Sequence, residues 1–257
     1  MANTGVSDRI PSHFLVRVES LHDAVADFEA AGFNVVWGQR PEDAHNALIH
    51  FHEGPFLELF EPLPHGWQGP VFKVLAKVGS ATRHPMLSRI ERWIGARGLC
   101  EWAIETNLPI EEVLPAIEAT GTEMGKPRPI KRRPPEGPVL EWSIATPADL
   151  ELPFIMDPYR PAPQIPEEAA EHENRIARLV GLDLVHPDPP HHAGDLQRYL
   201  GHGELSSDPD GVSARLTVGA FDISIAPGPE YRIAGLRGFA RETEVELDLH
   251  GLHLTAS

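Results

Sequence analysis

The chain has 257 residues, 41% of them hydrophobic, with 22 basic against 38 acidic side chains and a formal charge of −16. So acidic a surface repels a phosphate backbone, which argues against nucleic acid as a partner, and no apolar run approaches the ~20 residues that span a bilayer. The single cysteine, Cys100, has no partner for an intramolecular disulfide. The polar start, Met1 to Pro11, lacks a secretory signal's basic and apolar regions, so the expected compartment is the reducing cytoplasm.

The 26 prolines cluster at 127–138, 158–166 and 187–190 and divide the chain into three blocks. The first block opens with a strand at Phe14–Val18. A helix follows with Leu21, Ala24, Val25, Phe28 and Ala31 at helical spacing. Ser20 suits its N-cap, with Asp23 in the capping-box position, and Gly32 suits the residue just past its end. A strand at Phe33–Val36 comes next. Then two apolar runs, Asn46–Phe51 and Phe56–Phe60, flank Gly54-Pro55 as a hairpin.

The second block repeats that order. Leu99–Ile104 reads as a strand. Asn107 is the expected cap of a helix carrying Ile110, Val113, Leu114 and Ile117, which Pro115 should kink and Gly121 should end. Strands follow at Val139–Ala145 and Leu152–Met156. The last strands rhyme, Leu59-Phe60-Glu61-Pro62 against Ile155-Met156-Asp157-Pro158. The third block is a fainter copy, with a strand at Gly181–Val185, a helix at Ala193–Leu200, and strands at Ala214–Val218, Phe221–Ala226 and Val245–Leu249. Linking helices are expected at Met86–Ala96 and around Glu167–Leu179. The whole is an approximate strand-helix-strand-strand-strand repeat.

Glu58 is the sharpest single residue. It stands in a strand that otherwise wants burial, on one face with Phe56 and Phe60. A carboxylate there is either chemically active, with a pKa raised by its aromatic surround, or satisfied by a donor such as Arg17. His50 and His52 form an HxH pair that resembles a cupin pattern but lacks that pattern's glycines, and it reads better as a polar hairpin end. His191-His192, His250 and His253 read as helix-start and surface residues. Trp67, Trp102 and Trp142 could line an apolar cup or simply pack the core. Lys126–Arg133, a proline-interrupted basic run, reads as a solvated loop ahead of a lid. There is no phosphate-binding glycine loop, GxSxG or HExxH motif.

Ser12-His13-Phe14-Leu15-Val16-Arg17-Val18 and the helix ending Ala31-Gly32-Phe33 resemble the first module of the vicinal oxygen chelate (VOC) superfamily. Asn46-Ala47-Leu48-Ile49, Phe56-Leu57-Glu58-Leu59, Trp142–Pro147 and Leu152–Ile155 resemble more narrowly its glyoxalase-like branch. The resemblance implies an α+β fold of tandem βαβββ modules with curved mixed sheets and helices on the convex face. Residues 1–160 would form one pair of modules and 161–257 a degenerate further module packed on it or completing it.

The resemblance also implies that each module gives metal ligands from its first and last strands, here His13 and Glu58, for one divalent ion of the Zn, Fe, Mn or Ni kind and no nucleotide cofactor. The other copies depart from that pattern. Phe154 and Ile223 stand where further Glu residues would, and the second block's first strand offers Cys100, Glu101 or Trp102 according to register. The expected catalytic residues are Glu58, His13 and Asn46, the last positioning substrate or shaping a turn. Phe56, Phe60, Trp102, Trp142 and Phe154 would wall the substrate site. The implied function is a small-molecule enzyme of isomerase, lyase or ring-opening dioxygenase chemistry through an enolate-like intermediate. The alternatives are a metal-free binding or drug-sequestering protein and a metal-free cyclase or isomerase. The expected partners are a small molecule and a second copy in a homodimer.

Overall fold

A computed structural model describes residues 9–62, 77, 81, 84–242 and 244–257; Trp67 lies outside the described residues. The first module runs β1 (Arg9–Arg17), α1 (Leu21–Ala30), β2 (Val36–Trp37), β3 (Asn46–Ile49) and β4 (Phe56–Phe60). After α2 (Pro85–Gly95), the second runs β5 (Gly98–Thr106), α3 (Ile110–Glu118), β6 (Arg128–Arg132), β7 (Leu140–Ala145) and β8 (Phe154–Met156). The third runs β9 (Ile176–His186), α4 (Pro189–Leu200), β10 (Glu204–Ser207), β11 (Ala214–Val218) and β12 (Phe221–Pro227). The chain then returns as β13 (Arg232–Ala240), β14 (Val245–Leu249) and β15 (Leu252–Ala256), with no helix after β13 among the described residues. This is a mixed α+β fold of two curved sheets.

The first sheet has the order β2-β3-β4-β1-β5-β8-β7-β6 and the second β10-β11-β12-β9-β13-β15-β14. In each sheet two modules meet back to back. β1 pairs antiparallel with β5, and each runs parallel to its own module's last strand, β4 or β8. β9 and β13 repeat this arrangement with β12 and β15.

Strand alternation sorts the first sheet into two faces. Phe14, Val16, Leu57, Leu59, Trp102 and Ile104 point into the main core with the buried stripes of α1, α3 and α4. That core joins the sheets, for example where Phe14 stacks on Phe221 at 5.7 Å between ring centroids. His13, Leu15, Glu58, Phe60 and Phe154 take the other, concave face. α2 lies over part of that face rather than on the convex side, and its Trp93 packs against Phe60 and Phe154.

Local chemistry explains the elements. The Ser20 side chain accepts the Asp23 N–H at 3.3 Å, and the Glu61 carboxylate accepts that of Leu21 at 2.7 Å, so the free amides at the start of α1 are satisfied. α1 buries Leu21, Ala24, Val25 and Phe28. α3 is capped at Pro109, not Asn107, and tolerates Pro115 in its interior. The strand expected at Phe33–Val36 shrinks to β2, because His172 holds its approach: Nδ1 accepts the Asn34 N–H at 3.0 Å, and Nε2 lies 2.9 Å from the His50 carbonyl oxygen.

The helix expected around Glu167–Leu179 is instead a short 3-10 turn, Glu167–Ala170, followed by β9. The antiparallel ladder with β13 over Ile176–Leu179 overrides the local helical spacing there. The basic run expected as a loop is β6, an edge strand paired with β7. β10, β13 and β15 had no clear signal in the sequence.

The sheets also touch through bare backbone. Gly98, at φ +69°, sits so close to the β14–β15 turn that a Cβ there would lie 2.3 Å from the Gly251 carbonyl oxygen. That same oxygen accepts the Leu99 N–H at 3.1 Å. Gly98→Ala adds both a positive-φ penalty and a backbone clash. It should cost about 2–4 kcal/mol in urea unfolding, whereas Gly95→Ala, with nothing within 4 Å of the added atom, should cost far less.

Candidate functional site

Glu58 sits in the middle of β4 beside Leu15 of β1 and Leu48 of β3. One carboxylate oxygen, Oε1, accepts the Asn46 side-chain N–H at 2.8 Å. The other, Oε2, lies 3.5 Å from Nε2 of His13. Asn46 therefore does more than shape a turn, and Asn46 rather than Arg17 is the donor to Glu58. Gly38 makes room for Asn46, since a Cβ on Gly38 would lie 2.0 Å from the Asn46 amide oxygen.

Burial dominates the electrostatics. It pushes the Glu58 carboxyl above its usual 4.5, opposed by the Asn46 hydrogen bond and the Arg132 charge. It pushes His13 down to about 3, with Arg132 adding to the effect and Glu101 opposing it. His13 is thus a neutral imidazole at physiological pH. Its Nδ1 lies 3.2 Å from Ser12 Oγ.

The aromatic residues divide. Phe56 stacks on His13 at 4.8 Å and Phe154 meets it edge-on at 5.5 Å. Trp142 packs on Tyr159 at 4.8 Å, and the Arg132 guanidinium lies 5.9 Å from the Trp142 ring and 5.7 Å from that of Tyr159. Phe60 is on the right face but is covered by Trp93. Trp102 is fully buried on the opposite face, stacked on Phe14, and does not reach the cup.

Beyond Glu58 the concave face opens into a cavity of about 630 Å³ between Trp37, Leu48, His50, Arg132 and the proline-rich segments 134–138 and 163–166. Sequence reasoning missed Arg132. Its signal was alternation across Ile130, Lys131 and Arg132, half-buried, exposed, half-buried, which Pro129 obscured. The Nε of Arg132 is buried with no hydrogen-bond partner among the described residues. The HxH pair does not act together: β3 ends at Ile49, His50 is buried against Phe56, and His52 is exposed. His192 is buried as well, while its neighbour His191 is exposed.

The two halves of the first sheet can be matched through Leu59-Phe60-Glu61-Pro62 and Ile155-Met156-Asp157-Pro158. Glu58 pairs with Leu15, and Phe154 pairs with Ala103. Two residues earlier on each first strand stand His13 and Glu101. Glu101 is thus the counterpart of His13, as Phe154 is of Glu58. Glu101 faces no solvent and is held by the fully buried Arg89 of α2, by Trp93 Nε1 at 3.2 Å and by its neighbouring amide, Trp102 N–H, at 3.0 Å. Arg89 also donates to the carbonyls of Leu152 and Asp149 at 2.8 and 3.2 Å.

A metal in this cup would find two donors, His13 and Glu58. Its remaining positions are a carboxylate already held by a guanidinium and a phenyl ring. These residues do not fit a metal centre, which needs three or more protein ligands. A buried ion pair that loses one partner leaves an uncompensated charge. Arg89→Met should therefore cost ~3–5 kcal/mol in chemical unfolding, and adding Glu101→Gln should recover much of that loss.

A family model described as a glyoxalase-like domain matches residues 12–200. No curated protein matches the chain. Among solved structures, a hypothetical protein from Staphylococcus aureus aligns with TM-score 0.74 and 12% identity over 96% of this chain and 98% of its own. Homoprotocatechuate 2,3-dioxygenase from Arthrobacter globiformis aligns with TM-score 0.57 and 11% identity over 99% of this chain and 82% of its own. The Mn(II)-bound glyoxalase from Novosphingobium aromaticivorans gives 0.52 and 13% over 91% of this chain and 66% of its own. At these identities the likeness is one of fold, and no helix among the described residues is long and apolar enough to cross a membrane. With the family model covering most of the chain and the paired modules of both sheets in agreement, the protein belongs to the glyoxalase-like domain family of the VOC fold.

Proposed function

We propose that the protein is a VOC-type enzyme of the isomerase or lyase class, acting on a small enolisable carbonyl compound with Glu58 as the general base. The observation that carries this reading is the Asn46–Glu58–His13 constellation, a buried carboxylate with a raised pKa beside a neutral imidazole, next to a cavity lined by Trp37, Leu48, His50 and Arg132. The carboxylate takes a proton from the carbon next to the carbonyl. The electron pair of that C–H bond moves onto the carbonyl oxygen as an enolate, and the Arg132 guanidinium offsets the new negative charge. Return of the proton to the same carbon from the other side inverts that centre; where that carbon carries a hydroxyl, its O–H proton passes to the enolate oxygen, the carbon-bound proton returns to the former carbonyl carbon, and the carbonyl has moved one position. Phe56, Phe154 and Trp142 exclude water, and Asn46 and His13 orient the base. Ring-opening oxygenase chemistry finds too few metal donors in this cup to support it.

Proton exchange tests the reading without the natural substrate. With 2-oxobutyrate in D2O, followed by NMR, the wild-type protein should speed loss of the C3 proton signal, and Glu58→Gln should reduce that rate by about 10²–10⁴-fold. Equal exchange by both proteins would remove Glu58 from the role of base. Binding without exchange would favour the ligand-sequestering alternative, for which the apolar cavity is the supporting feature.

The pH dependence has a definite sign. Glu58 is competent only when ionised, and its folded-state pKa lies above 4.5. The rate should rise with pH through an apparent value above that of an ordinary glutamate. No limb should belong to His13, which titrates at about 3. Glu58 also binds its proton more tightly in the folded state, so its contribution to stability falls as pH rises between the unfolded and folded values. Rate profiles and unfolding measurements on wild type and Glu58→Gln check both statements.

A further inference from the structure

We propose that Glu151, His186 and His192 form a binding site for a divalent transition-metal ion of the zinc class, outside the cup and at the junction between the two sheets. Glu151 lies in the β7–β8 connection of the first sheet, His186 ends β9 of the second, and His192 is in the first turns of α4. One ligand atom from each lies within 4.8 Å of the others. Nε2 of His186 is 3.1 Å from a Glu151 carboxylate oxygen, and the two imidazoles stack at 4.6 Å. Two imidazoles and a carboxylate are the donor set that zinc accepts with its fourth position left to water. Tetrahedral ligands stand about 3.3 Å apart, so small ring rotations close the site.

An independent observation points to an ion. His192 is 2% exposed, and its Nε2 is buried with no hydrogen-bond partner among the described residues. A buried imidazole nitrogen left unpaired is costly, and a ligand would satisfy it.

His186 has the supporting contact that metal-bound histidines use. Its Nδ1 lies 2.8 Å from both the amide and the carbonyl oxygen of Asp188. Without metal, Nδ1 can accept the amide proton while Nε2–H faces Glu151. With metal on Nε2, the proton moves to Nδ1 and is donated to the carbonyl. Asp149 and Asp195 raise the negative potential at His192. Occupancy would tie the 149–152 loop, whose carbonyls receive Arg89 and Arg92, to the second sheet.

The test titrates the full-length, tag-free, chelator-treated protein with Co²⁺ and follows its visible d–d absorption, with Zn²⁺ as competitor. One Co²⁺ per chain is expected, displaced by Zn²⁺. Affinity should fall at least about tenfold in Glu151→Gln and in His186→Asn, and stay unchanged in Glu58→Gln. Because Glu151 is partly exposed, Glu151→Gln should keep its fold, checked by circular dichroism. No Co²⁺ band overturns the proposal. So does a band that survives Glu151→Gln at wild-type affinity, or one that vanishes with Glu58→Gln.

Discussion

The arrangement of the first sheet depends on a guanidinium meeting a carboxylate out of water. Arg89 and Glu101 are both buried, and neither is tolerable alone. Once paired, they fix α2 across the concave face, with Trp93 between Phe60 and Phe154. One end of the cup is thereby filled with protein. The other end, toward Leu48, His50 and Arg132, is left as the cavity. The same pair takes up the position that mirrors His13. The carboxylate at the position matching His13 and a cation from the linking helix together act as a packing device.

The other half of the sheet shows what burial does to two groups that look like an ion pair. His13 and Glu58 are 3.5 Å apart, yet desolvation moves their affinities for a proton in opposite directions, each toward the neutral form. The imidazole stays uncharged. The positive charge that Glu58 senses belongs to Arg132, across the cup on an edge strand. On the proposed reading, base and counter-charge come from different modules, so one site draws on both.

Much of this was legible in the chain. The cap at Ser20, the alternation of Phe56-Leu57-Glu58-Leu59-Phe60 and the rhyme between Leu59–Pro62 and Ile155–Pro158 are local signals, and local physics decided those elements. What escaped was decided by distant partners. Ile176–Leu179 became strand because β13 pairs with it, and β6 became strand because β7 supplies its ladder. Trp102 and Phe60 share composition with Phe56 and Trp142, but only strand register and the helix above them separate core from cup. For Asn46, a positioning role and a turn-shaping one stayed open in the sequence because its partner lies twelve positions away, across a hairpin whose register no single residue announces.

The empty space at Gly38 has a stereochemical consequence. With no side chain there, the Asn46 amide fits close against the Gly38 backbone and donates to one oxygen of Glu58. On the proposed reading the oxygen facing His13 is the one that accepts the proton, and Phe56 and Phe154, packed on His13, limit the sides from which carbon can approach it. A base so restricted distinguishes the two mirror-related hydrogens of a CH2 group. On the proposed reading, handedness in the product is set by a hydrogen atom, the entire side chain of Gly38, on a residue that never meets the substrate.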